Sequence, residues 1–312
     1  MVNVENVRFS FKDREVLKNI SFAVSSREIF GLLGPNGSGK TTLFRILATV
    51  LRAASGQVKI FSESLPAQES KVREKIGVVF QSPSLDGKLT VKENMVHHGH
   101  LYGLSGRTLQ SRIEIMMNRL GIRDRAGDLV DKLSGGLKRR VELAKALIHE
   151  PSVLILDEPS TGLDPGARID LWTYLKKLRD ENGMTILVTT HLMDEAEHCD
   201  RLAILNQGQI VKIGKPSELK RKISGDVILI KTPYPEKLAA GVKEKFGTVA
   251  VFTEQTLQIE HEKGAEFIAK LAGAFPEAIE SITFRKPTLE DVFLHETGHR
   301  FWEESKEAVS HV

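Results

Sequence analysis

The chain is short of several things, and each shortage removes a class of protein. One cysteine in 312 residues rules out an intramolecular disulfide framework or a Cys-rich zinc module, and it fits a reducing compartment. Basic residues barely outnumber acidic ones, 44 Lys and Arg against 41 Asp and Glu, for a net charge of +3. A protein built to neutralise nucleic-acid backbone carries a concentrated basic excess, so no nucleic-acid partner is expected. No apolar run approaches the roughly 18 residues a spanning helix needs, and the densest, Val153-Leu154-Ile155-Leu156, has the length of a strand. The first residues, MVNVENVRFSFKDREV, carry charges where a signal peptide needs its apolar stretch. There is no internal repeat or low-complexity tract. What remains is ordinary globular material, 41% apolar and 27% charged, sufficient for about two domains. A cytosolic chain with no membrane span of its own is expected.

The first part alternates short apolar runs with helix-period segments, as an α/β domain with a largely parallel sheet does. Ile29–Leu33, Ile76–Phe80, Val153–Leu156 and Thr185–Val188 read as buried strands, and Leu202–Leu205 and Gln209–Ile213 flank a hairpin turn. Over 41–51 (TTLFRILATVL) Leu43, Phe44, Ile46, Leu47, Val50 and Leu51 share a helical face. Between about 85 and 150 no strand pattern appears, and 108–120 and 137–149 are amphipathic, which predicts a helical insertion. KRKISGD (220–226) reads as a linker. The stretch 227–284 alternates strand-like VILIK, VAVF, LQIE and SITF with helices near 235–246 and 264–274, and an amphipathic helix follows at 288–297. The expected division is 1–220 and 225–312, the second a small α+β unit.

Gly34-Pro35-Asn36-Gly37-Ser38-Gly39-Lys40-Thr41 fits the spacing G-x-x-x-x-G-K-[ST], between an apolar strand and an amphipathic helix. Glycines let backbone N–H groups turn inward around phosphate, and the helix N-terminus adds its positive end. Lys40 then reaches the outer phosphates, and the Thr41 hydroxyl can ligate Mg²⁺. The strand VLIL delivers Asp157 beside that loop as a second Mg²⁺ ligand, and Glu158 follows at the strand's carboxyl end, where it can polarise an attacking water. Leu133-Ser134-Gly135-Gly136 opens the 137–149 helix, a second site suited to an anion.

On these motifs the chain resembles the ATPase subunit of an ATP-binding-cassette (ABC) transporter, an α/β P-loop ATPase. The resemblance covers about 2–220 and implies ATP and Mg²⁺ as cofactors. It implies that Thr42 joins the phosphate contacts. It also implies that Ser134, Gly135 and Gly136 clamp the ATP bound to a second chain, so that two ATPase chains sandwich two nucleotides. Leu137 departs from the signature's usual Gln but leaves the phosphate-binding positions intact. Gln81 matches the family's Q-loop residue, expected near Mg²⁺ or water. Asp164, in Ser160-Thr161-Gly162-Leu163-Asp164, matches the D-loop, and His191 the switch histidine at the γ-phosphate. Phe11 stands where an aromatic stacks on adenine; Phe9 is two residues away, and in a regular strand the two would share a face.

Lys286-Pro287-Thr288-Leu289-Glu290-Asp291-Val292-Phe293 is similar to the ending of ATPases in the daunorubicin-resistance-type exporter group. That implies separate integral-membrane permease subunits and a peripheral place on the inner face of the membrane. An importer ATPase with a regulatory carboxyl domain shares every core motif, and a soluble non-transport ABC ATPase is a third reading. His97, His98 and His100 are expected on a solvated helix face, Lys138-Arg139-Arg140 as a charged face, and Cys199 as a small buried residue.

Overall fold

A computed structural model describes residues 1–223, 225–253, 256–298 and 301. The chain divides into two compact units, with the break at Gly214. The expected 225–312 domain runs past residue 301, and that end lies outside the described residues.

In the first unit the strands β1 (Val2–Phe11), β2 (Arg14–Val24) and β3 (Ile29–Leu33) precede helix α1 (Lys40–Leu47). They are followed by β4 (Ser55–Ile60), β5 (Glu63–Leu65), α2 (Glu69–Lys75) and β6 (Ile76–Val79). Helices α3 (Val91–Leu101), α4 (Gly106–Arg119) and α5 (Gly135–Leu147) form the expected helical insertion. Then come β7 (Val153–Asp157), α6 (Pro165–Asn182), β8 (Thr185–Thr190), α7 (Met193–Ala196), β9 (Arg201–Asn206) and β10 (Gln209–Gly214). Six strands make one sheet in the order β10-β9-β3-β8-β7-β6, and every pairing among β9, β3, β8, β7 and β6 is parallel.

Alternation along the central strands supplies both faces with apolar side chains. Val153, Ile155 and Leu187 face a core shared with α1 and the N-terminal strands. Leu154, Leu156, Ile186 and Val188 face the core that holds α3, α4, α5 and α6. A second sheet, β2-β1-β4-β5, was not foreseen. Its β1 shifts register between Val4 and Val7 and again between Val7 and Phe9, with Asn6 at a positive φ of 51°. Val2, Val4, Val7 and Phe9 all point inward, so the apolar spacing is 2, 3, 2, and the bulge erases the strand period from the sequence.

Two local expectations need correction. Helix α1 stops at Leu47, because the Arg45 carbonyl accepts both the Val50 and the Leu51 N–H, closing the helix end. Val50 is consequently exposed. His98 is not on a solvated face: it is half-buried beside Tyr102 and His149, with the Tyr102 and His149 rings stacked 3.7 Å apart. Cys199 is buried against Gly31, as expected.

The second unit opens with α8 (Pro216–Arg221), so Lys220 and Arg221 of the expected linker are helical. It continues as β11 (Asp226–Lys231), α9 (Pro235–Phe246), β12 (Ala250–Thr253), β13 (Thr256–His261), α10 (Gly264–Ala274), β14 (Ser281–Arg285) and α11 (Leu289–Thr297). The β11-to-β14 part is a βαββαβ arrangement with an antiparallel sheet in the order β12-β13-β11-β14. Ile228, Ile230, Leu257 and Ile259 pack against Leu238 and Val242 of α9 and Phe267 and Leu271 of α10.

Burial, with Lys145 and His149 nearby, pushes the His98 imidazole down from 6.5 to about 4. The unfolded chain therefore takes this proton first as pH falls, so stability present above pH 6.5 is lost between 6.5 and about 4. The stake is about 2–3 kcal/mol. Thermal unfolding of His98→Gln should show a shallower loss of Tm across that window than the parent, and an unchanged slope would refute the assignment.

Candidate active site

The loop between β3 and α1 is shaped by what glycine alone permits. A Cβ on Gly34 would stand 2.2 Å from the Leu205 carbonyl oxygen, and Gly39 adopts φ +106° as it caps α1. The first turn of α1 contains no acidic residue and has no side-chain cap, so its N–H groups keep their positive end for a ligand.

Lys40 is buried at the head of that helix. Its Nζ donates to the Gly34 and Pro35 carbonyls at 2.8 and 3.0 Å and lies 3.6 Å from Glu158 Oε1. Desolvation lowers its pKa, while Glu158 and Asp157 pull it back up. Asp157 ends β7 in register with Thr189 of β8. The Thr189 hydroxyl donates to Asp157 Oδ1 at 2.5 Å, and the Thr41 hydroxyl lies 3.5 Å from the same oxygen. Burial raises the Asp157 pKa, with the Glu158 charge adding to it and the hydrogen bond from Thr189 opposing it.

Glu158 holds a left-handed backbone, φ +44°, an uncommon conformation for a side chain of its size. Its N–H donates to both the carbonyl and the hydroxyl of Thr189, at 3.1 and 3.0 Å. Its Oε2 accepts from Gln81 Nε2 at 3.1 Å and from the Thr161 hydroxyl at 3.4 Å, and lies 3.1 Å from His191 Nδ1. Three other segments, those of Lys40, Gln81 and His191, thus converge with Thr161 on one carboxylate.

These groups line a cleft of about 710 Å³ with Asn36, Gly37, Thr41 and Thr42 of the loop. Arg14 and Val16 of β2 close one side, and Phe11 offers a half-exposed ring at the rim. Phe9 is buried instead, its ring 4.8 Å from that of Phe11 and nearly perpendicular. A register shift after Phe9 separates the two, so they do not share a face as a regular strand would require. Gly34, Pro35, Ser38 and Asp157 underlie the cleft rather than line it.

Ser134, Gly135, Gly136 and Asp164 are not part of this cleft. Ser134 caps α5 by accepting the Leu137 N–H at 3.3 Å, and Asp164 caps α6 by accepting the Ala167 N–H at 3.0 Å. The two caps are neighbours, since a Cβ on Gly135 would come 3.7 Å from the Gly162 carbonyl oxygen.

The expected charged face at 138–140 is corrected by burial. Arg139 donates to the Phe80 carbonyl at 3.0 Å, to Glu142 at 2.8 Å and to the Glu158 carbonyl at 3.5 Å. Glu142 accepts the Ser84 N–H at 2.8 Å, and Lys145 donates to the Ser84 carbonyl and, at 2.8 Å, to its hydroxyl. Burial lowers the Arg139 and Lys145 pKa values and raises that of Glu142. One face of α5, the helix capped by Ser134, thereby grips both sides of Gln81 and the backbone of Glu158. Arg140 is paired on the surface with Asp170 at 2.7 Å. The sequence also gave no warning of Glu195, whose buried carboxylate takes the hydroxyls of Ser160 and Thr190 and so ties the segment after Glu158 to the one before His191.

A divalent cation fits the donor set. Among the described residues no cluster of three or more His, Cys, Asp or Glu could hold a metal unaided. One hydroxyl and one buried carboxylate are hard oxygen donors that need phosphate oxygens and water to complete a shell, which is how Mg²⁺ is held.

A glycine-rich loop feeding a helix, a buried lysine in it, and two acids at the carboxyl end of β7, one strand removed from β3 in the same sheet, define a P-loop ATPase. Residues 17–161 fit the sequence profile of the ABC transporter family. The chain is 37% identical to Nod factor export ATP-binding protein I of Burkholderia lata over 95% of its own length and 97% of that protein's. It is 33% identical to linearmycin resistance ATP-binding protein LnrL of Bacillus subtilis, over 96% and 98%. Its fold is similar to cbiO1 from Clostridium perfringens, part of the ABC transporter complex cbiONQ (TM-score 0.66, 28% identity, covering 79% of this chain and 95% of that one). It is also similar to the bacterial ABC transporter cassette MJ0796 in its dimeric structure (TM-score 0.64, 28% identity, 69% and 98%). The chain belongs to the ABC transporter family and is an ATP-binding, ATP-hydrolysing subunit. No helix among the described residues is long and apolar enough to cross a membrane.

Removing Arg139 strands the buried Glu142 carboxylate, so Arg139→Met should cost about 3 kcal/mol of cassette stability. Adding Glu142→Gln removes the stranded charge but keeps an acceptor for Ser84. The double variant should regain most of its Tm while ATP turnover stays about tenfold down, because the Phe80 and Glu158 carbonyls have lost their donor. Recovery of both together would mean that Arg139 serves stability alone.

Proposed function

We propose that this chain powers export through a separate integral-membrane permease, with two copies closing on two Mg²⁺–ATP. The observation that carries the reading is the convergence of Lys40, Gln81, Thr161 and His191 on Glu158. In it, the loop amides and Lys40 hold the phosphates, and Phe11 stacks on adenine. Thr41, Asp157 and Gln81 hold Mg²⁺, which when bound neutralises phosphate charge. Glu158 accepts the proton of the attacking water, and His191 and Gln81 orient the carboxylate and the outer phosphate.

Ser134, Gly135, Gly136 and Asp164 lie outside their own chain's cleft, which supports their acting on the nucleotide of the partner chain. Similarity over nearly the full length to proteins named for Nod factor export and for linearmycin resistance supports export rather than import. The absence of a spanning helix among the described residues agrees with a peripheral subunit on the inner face of the membrane, held there by the permease.

Glu158→Gln keeps the shape of the base but not its proton affinity. It should still bind ATP with turnover reduced about 10²–10⁴-fold, and near-parental hydrolysis would remove Glu158 from the mechanism. Lys40→Ala should instead weaken ATP binding, by about 1.5–3 kcal/mol, measurable by titration calorimetry.

Two chains sharing a site predict complementation. Ser134→Arg and Lys40→Ala chains should each be inactive alone. Mixed, they form heterodimers in which both lesions fall on one composite site and the other is intact, so hydrolysis should reappear. If it does not, while heterodimers are demonstrably present, the shared-site reading fails.

A further inference from the structure

The apolar stripe of the amphipathic 288–297 helix is used inside the second unit. Leu289, Val292 and Phe293 are buried, α11 packs on α8, and Asp291 accepts from Gln258 at 3.1 Å and from Arg285 at 2.9 Å. Gln258 alternates with the core residues Leu257 and Ile259, so α11 begins on the sheet face opposite α9 and α10.

What stays open is the edge strand β14. Among the described residues it has β11 on one side only, and Phe284 is 50% exposed with Ile282 half-buried beside it. An edge of this kind is a template for another strand unless charge or twist protects it. Strand alternation puts Ile282 and Phe284 on the α9/α10 face, and Ser281, Thr283 and Arg285 on the other, with Glu280 and Lys286 flanking the strand.

Laid antiparallel on itself about Thr283, this segment is self-complementary. Ile282 meets Phe284 twice, Thr283 meets Thr283, and Glu280 comes opposite Lys286 at both ends, where Lys286 is already paired with Asp226 of its own chain at 2.7 Å. Moving the centre to Ile282 would set Phe284 against Glu280, and moving it to Phe284 would set Ile282 against Lys286. Only the Thr283 register sets Ile282 against Phe284 and leaves neither opposite a charge. Arg285, opposite Ser281 in that register, already has its charge answered by Asp291 within its own chain.

We propose that β14 pairs antiparallel with β14 of a second copy in the register centred on Thr283, joining the two sheets into one. This rests on the reading that two chains act as a pair. The individual cross-strand contacts are weak, so the pairing is expected only where the two copies are also held together elsewhere. The second unit thereby becomes a second clasp on the dimer, leaving the ATP sites as they are.

The sole native thiol, Cys199, is buried, so introduced thiols report cleanly. The experiment uses full-length Glu158→Gln chains with ATP, their mass followed by light scattering and their disulfides by gel after mild oxidation. Thr283→Cys should cross-link about tenfold more than Lys270→Cys, an exposed position on α10, because facing residues place their Cβ atoms at disulfide distance. A mixture of Ile282→Cys and Phe284→Cys chains should cross-link more than either alone, and Phe284→Lys should abolish the Thr283→Cys product while the ATP-dependent mass remains dimeric. Equal yields at 283 and 270 in a sample that is dimeric by mass would overturn the strand pairing and leave the paired cassettes standing. A different winning register would overturn the one stated. Failure of Glu158→Gln to dimerise with ATP would refute the paired reading by itself. In that case Thr283→Cys cross-linking no better than Lys270→Cys in concentrated protein would sink the strand pairing as well.

Discussion

Everything around the nucleotide cleft answers to one constraint: three ionic groups, Lys40, Asp157 and Glu158, are withdrawn from water at the carboxyl ends of a parallel sheet. Such groups are tolerated only when their remaining hydrogen-bonding capacity is met, so the surrounding chain is committed to meeting it. Lys40 leans on carbonyls of its own loop, Thr189 serves both acids from the next strand, and Gln81, Thr161 and His191 crowd one oxygen of Glu158. Burial pushes both Lys40 and Asp157 toward neutrality, the one downward and the other upward in pKa, and their neighbours only partly offset it.

A second layer carries that constraint outward. Arg139, Glu142 and Lys145 lie on one face of α5 and bond to the segment 80–84 and to the Glu158 backbone. The helix whose first residue is the Ser134 cap cannot tilt without either taking Gln81 with it or breaking buried ionic hydrogen bonds. The position of the Ser134 end of α5 and the placing of Gln81 and the Glu158 backbone are thus mechanically coupled.

The parts that were legible in sequence are those whose physics is local. Glycines in the phosphate loop, a four-residue apolar run ending in two acids, and a serine heading a helix are contiguous features, and the parallel strands and most helices followed from period alone. The N-terminal sheet was illegible because the bulges of β1 change its apolar spacing. Arg139 was misread because its carbonyl partner is 59 residues away and nothing in Lys138-Arg139-Arg140 distinguishes a buried guanidinium from a solvated one. His98 was misread for the same reason: its burial is made by Tyr102 and by His149 from another helix end. Phe9 and Phe11 were separable only once the register shift between them was known.

The left-handed backbone at Glu158 also limits what can replace it. β-Branched side chains are poorly accommodated at positive φ, so valine, isoleucine and threonine are disfavoured there on conformational grounds before chemistry is consulted. Unbranched or short polar residues, with glycine, are what the position can hold without disturbing the strand end. Drift at this site is therefore channelled toward side chains that keep the strand end, and with it the cleft, intact.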